Sequence, residues 1–203
     1  IFNENLGETQ SLGSFTITQA NAGVIFGGAD TEIVGTSTTG PVNVLNTDGA
    51  IDIGSSSVIG GAGIVLNGGG LDLTIQTTGD AIRFNGAVTL ASSVVLDTDS
   101  SDINAEGGVI TFTSDAPINS SLGEHNDLTL DAGTANVVFN ANIGATQSLG
   151  AFTINEADNG VIFGGADSAT PSSTGPVTLI NTDDVIDLGV GTNVIGGTGI
   201  VFN

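Results

Sequence analysis

The chain has 203 residues, with 22 acidic side chains against a single basic one, Arg83, for a formal charge of −21. Phosphate recognition needs clustered Lys and Arg, so nucleic acid and anionic lipid are excluded as direct partners, whereas multivalent cations and basic partners are not. With 39% hydrophobic residues and no cysteine, the chain can bury a core, as a disordered acidic tail cannot, and it has no disulfide framework.

Short apolar–x–apolar triplets run through the chain from the start, the signature of a strand with one buried face. In chain order they begin with Phe15-Thr16-Ile17, Val24-Ile25-Phe26, Val42-Asn43-Val44, Ile51-Asp52-Ile53, Ile64-Val65-Leu66 and Leu73-Thr74-Ile75. They continue with Ile82-Arg83-Phe84, Val88-Thr89-Leu90, Val94-Val95-Leu96, Ile110-Thr111-Phe112, Leu128-Thr129-Leu130 and Val137-Val138-Phe139. The last are Phe152-Thr153-Ile154, Val161-Ile162-Phe163, Val177-Thr178-Leu179, Ile186-Asp187-Leu188 and Ile200-Val201-Phe202; only the stretch around Ile118 breaks the pattern. Gly, Asn, Asp and Ser fill the gaps, which is turn chemistry. No helical periodicity appears, and no apolar run is long enough to span a membrane.

Two levels of repetition are superimposed on this pattern. Residues 1–30 match 138–167 at 21 of 30 positions, and "TGPVNVLNTDGAIDIG" later faces "TGPVTLINTDDVIDLG". The chain thus holds one full repeat, 1–137, and the first half of a second, 138–203, which predicts a segment of a longer repetitive protein. Within the repeat, one series of triplets recurs about every 23 residues, with two further series between its members. Three strands per period describe a three-sided β-solenoid: an all-β parallel coil with about six turns per 137-residue repeat and roughly nine in all. At ~4.8 Å per rung this is a rod on the order of 40 Å long. An antiparallel sandwich, the rival fold, offers no reason for three interleaved series.

"LTLDAGTANVVFNANIGATQSLGAFTI" and "VTLASSVVLDTDSSDINAEGGVITF" resemble repeats of large bacterial surface proteins of the filamentous haemagglutinin type. The resemblance covers the whole chain. It implies a right-handed parallel β-helix, secreted to the bacterial cell surface, that serves in adhesion or in a biofilm. Absence of cysteine fits such export. The function expected on this basis is a non-catalytic stalk or fibre segment, in contact with neighbouring repeats and able to self-associate end to end. A calcium-binding or glycan-binding adhesive module, directed at a host or cell-surface receptor, is the alternative.

Candidate functional residues are few. The loop "LDTDSSDINAEGG" brings Asp97, Asp99 and Asp102 close in sequence as candidate calcium ligands, since calcium takes six to eight oxygens and alternating Asp in a glycine-rich turn supplies several. The spacing matches neither the EF-hand nor the calcium nonapeptide. "NTDGAID" and "NTDDVID" are weaker candidates of the same kind. No other cofactor is expected. For a polysaccharide-active enzyme the inventory is poor: His125 stands alone, Arg83 is the only anion clamp, and no Tyr or Trp offers a stacking platform. Thr-x-Thr pairs such as Thr16/Thr18 and Thr111/Thr113 suggest an ice-binding array, but Asn43 and Val65 interrupt it. The middle residues Ile25, Val95, Val138 and Ile162 should point outward and form an apolar contact face. Either the segment 27–41 and its counterpart fold over that face, or another rod packs on it.

Overall fold

The computed structural model describes residues 1–28, 40–100, 106–165, 175–189 and 195–203. Among them are seventeen strands and no helix, arranged in three sheets in which every strand pairing is parallel. Face one stacks β2 (Val24–Phe26), β5 (Ile64–Leu66), β8 (Val88–Leu90) and β11 (Ile118–Ser120). Face two stacks β3 (Val44–Thr47), β6 (Leu73–Thr77), β9 (Val94–Asp97), β12 (Leu128–Asp131), β14 (Phe152–Glu156) and β16 (Ile186–Leu188). Face three stacks β1 (Phe15–Ile17), β4 (Ile51–Ile53), β7 (Ile82–Phe84), β10 (Ile110–Phe112), β13 (Asn136–Phe139), β15 (Gly160–Phe163) and β17 (Ile200–Phe202). Isolated parallel bridges extend the stacks: Phe2 lies on Phe26, Leu6 on Leu45, and Ile143 sits between Ile118 and Ile180. The chain therefore winds one, two, three, one, as a three-sided parallel β-helix.

The turn is longer and more variable than the sequence predicts. Stacked partners lie 21 residues apart at Thr74 and Val95 but 40 apart at Ile25 and Val65. The longest sheet has seven strands, so the described residues make seven levels rather than nine, ~34 Å of stack. The 23-residue period fails because successive triplets of the series fall on different faces: Thr16 on three, Val65 and Thr89 on one, Thr129 and Thr153 on two. Corners of very different length separate the faces, and a triplet carries no mark of the face it occupies.

The two sequence copies keep their strand pairings but change faces. Phe15 pairs with Ile51 on face three, and its equivalent Phe152 pairs with Ile186 on face two. Likewise β2 and β5 on face one become β15 and β17 on face three. Counting Ile143 as a position, β14 comes fourteen strand positions after β1, or four and two-thirds turns, so the repeat is not the six turns predicted. The second copy is therefore rotated by one face about the axis.

The core is a set of columns. On face three, Phe84, Phe112, Phe139, Phe163 and Phe202 stack with ring centroids 4.9–5.2 Å apart and planes within 13° of parallel. Parallel, in-register pairing puts identical side chains one rung apart, which is aromatic stacking distance. Polar groups that turn inward are satisfied at corners: buried Thr47, Thr77 and Thr98 each donate a hydroxyl hydrogen bond to a carbonyl, of Gly49, Asp80 and Gly108 respectively. The stretch around Ile118, which breaks the sequence pattern, is nonetheless a strand. Ser120 takes the inward place usually held by an apolar residue, and its Oγ accepts a hydrogen bond from the Asn126 N–H at 2.9 Å.

The recurrent "VIFGG" has a steric origin. Gly27 turns the corner at φ +70°, and Asn67 of the next rung donates from Nδ2 to its carbonyl at 2.6 Å. A Cβ on Gly27 would run into the Asn67 carbonyl, and one on Gly28 would lie 2.7 Å from Ile25 Cγ2. The first glycine lets rungs close on each other, and the second leaves room for the Ile25 side chain.

Candidate functional site

Four acidic residues gather along one edge of face two. Asn46, Gln76, Asp97 and Asp131 stack in register on β3, β6, β9 and β12, and a register shift brings Glu156 of β14 against Asp131. The Asp99 N–H donates to Asp97 Oδ1 at 2.9 Å, and the Asp99 side chain lies over Gly133, beyond the end of β12. The structure therefore brings Asp97 and Asp99 together, as the sequence predicts, and adds Asp131 and Glu156, which are far away in sequence. Asp102 lies outside the described residues. Among the described residues no group of three or more Asp, Glu, His or Cys is arranged to hold a metal ion. Only the in-register pairing of β9, β12 and β14 reveals this column, so periodicity alone could not have found it.

Stacked carboxylates at rung spacing repel. Burial, and then the charges of Asp99, Asp97 and Glu156, push the Asp131 carboxyl up to about 6, against the lowering effect of the Gly133 N–H, which donates to it at 3.2 Å. The folded chain thus holds a proton at Asp131 more tightly than the unfolded chain does. Stability should be highest below about pH 4 for this group and fall as pH rises through about 6. The group is only partly buried, so salt and solvent reduce the effect. Asp131→Asn should raise the melting temperature at pH 7.5 and flatten its slope between pH 4 and 7. An unchanged slope in calorimetry would count against the column.

The apolar contact residues expected from the sequence do not share a face. Ile25 is on face one, Val95 on face two, and Val138 and Ile162 are neighbours on face three. A constant period would place all four together; corners of unequal length do not. Each is the middle residue of its triplet, but only 2% of Val138 is accessible. Gly28 and Gly165 press on Ile25 and Ile162 respectively, and Gly175 lies against Asn140 and Ser114. Residues 29–39 and 166–174, which make up most of the segment expected to cover this face and its counterpart, lie outside the described residues.

Arg83 lies on the outward column of face three, with its guanidinium 3.2 Å from Asp52 on the rung below. That ion pair engages the chain's one Lys or Arg side chain through Nη1. His125 is on an exposed turn, with Nδ1 2.9 Å from Ser148 Oγ. Thr111 and Thr113 are buried, and the Thr113 hydroxyl donates to Asn85 Oδ1, so this pair presents no flat array to solvent. Compared with known proteins, the chain matches no family model, no curated protein and no solved structure.

Proposed function

We propose that the chain is a structural segment, a stalk or fibre section of a bacterial surface adhesin or extracellular matrix filament, working by rigid extension rather than by catalysis. The observation that carries this reading is the continuity of the core across the boundary between the two sequence copies. Phe112 of the first copy and Phe139 of the second stack at 5.2 Å with planes 4° apart, as closely as rings within one copy. Ile51, Ile64 and Leu66 of the first copy are at most 1% exposed beneath β7 and β8. Their equivalents Ile186, Ile200 and Phe202 offer the same apolar chemistry to a rung above. Successive copies thus add length without any new kind of contact, which suits an element that extends.

The test has two arms. Pulled end to end in single-molecule force spectroscopy, the segment should give way in one cooperative event; rung-by-rung peeling at low force would overturn the mechanical reading. On panels of neutral and acidic polysaccharides the isolated segment should show no saturable retention and no turnover. Saturable retention or turnover would move the assignment to a glycan-binding or glycan-active module.

A further inference from the structure

Three successive corners that join face one to face two differ in length in a way that cuts a notch into the rod. Between β5 and β6 the turn covers residues 67–72, between β8 and β9 only 91–93, and between β11 and β12 residues 121–127. A short turn between two long ones is recessed between two overhangs. The result is a cavity of about 270 Å³ lined by Leu71 and Asp72 below, Ser92 and Ser93 at the floor, and Glu124 and Asn126 above.

The floor is rigid. Ser92 is buried and its Oγ accepts the Gly68 N–H at 2.6 Å, while Ser93 Oγ accepts the Asp127 N–H at 3.1 Å. Asn126 Nδ2 donates both to the Leu90 carbonyl and to Glu124 Oε2, each at 2.9 Å, which holds the Glu124 carboxylate at the rim. Leu71, on the lower turn, is 68% exposed.

We infer that this notch is a docking site for a basic peptide segment, seating one arginine side chain. Charge identifies the occupant: acidic Asp72 and Glu124 come from the turns below and above the floor, no cation is among the lining residues, and the one Lys or Arg side chain is on face three. A guanidinium presents donors on two edges and can bridge two carboxylates across the notch. A lysine, a point charge, engages one wall at a time. The notch is a property of the corner turns and does not depend on the stalk reading.

The test uses an acetylated peptide alternating arginine and glycine, its lysine counterpart, and the whole chain at about 150 mM salt. We expect saturable binding, weaker for the lysine peptide, with amide shifts confined to residues 71–72, 91–93 and 122–126. Asp72→Asn/Glu124→Gln should weaken it by about tenfold or more. The charge-matched control Asp115→Asn/Asp183→Asn should change it less than about twofold. All of these residues are exposed, so the variants fold. Equal weakening by both double variants means diffuse attraction to an acidic rod and overturns the site, as does absence of binding or shifts spread over all faces.

Discussion

Phe112→Ala should be the most damaging single truncation in the chain. Phe112 is buried and stacks on Phe84 and Phe139, with both centroid distances 5.2 Å. Removing the ring opens a cavity in mid-column and breaks two stacking contacts. Rungs on either side are held at fixed spacing by their hydrogen bonds and cannot collapse into the gap. The expected cost is about 3–5 kcal/mol, or on the order of 10 °C in melting temperature. Phe202 belongs to the same column but is 67% exposed, with one ring neighbour among the described residues. Phe202→Ala should therefore cost well under half as much. Chemical denaturation of both variants checks the ordering; equal losses would mean that the column does not act as a stack of nearest-neighbour contacts.

Gly27→Ala should rival it for a different reason. At φ +70° an added Cβ is strained by about 1–2 kcal/mol wherever it points. Here it also meets the Asn67 carbonyl of the next rung, which is backbone and cannot swing aside. Together the two effects should cost about 2–5 kcal/mol. Gly123 supplies the control, with φ +81° and nothing within 4 Å of the place its Cβ would take. Gly123→Ala should carry the conformational strain alone. If the two substitutions cost the same by denaturation, close approach of rungs is not what requires glycine at the "VIFGG" corner.

These contrasts show which parts of the architecture can be read from residues in order. A triplet such as Ile110-Thr111-Phe112 declares a strand and its buried side by itself, so fold class and most inward residues are legible. Val42-Asn43-Val44 and Val177-Thr178-Leu179 mislead: β3 starts at Val44 and buries Leu45, and Leu179 is exposed beside the Ile180 bridge. Ile118-Asn119-Ser120 is not legible, because a buried serine satisfied by a backbone N–H looks like a turn residue until its partner is known. Turn length escapes the sequence for a related reason. The corner between β8 and β9 has three residues and that between β11 and β12 has seven, and strand periodicity contains no information on corners. The acidic edge is half legible: Asp97 and Asp99 are close in sequence, but Asp131 and Glu156 join them only through the register of three parallel strands. The notch cannot be anticipated, since it is a difference between corner lengths and not a motif.

The mismatch between the 137-residue repeat and the helical turn has a consequence for recognition. Because a copy closes on two-thirds of a revolution, Ile25 with Val65 and Ile162 with Val201 look out on bearings about 120° apart, as the three faces of such a coil do. A flat partner that grips one of these pairs cannot reach its twin. Equivalent features would be met only by something that encircles the shaft, or by separate visitors that approach from different sides without obstructing one another.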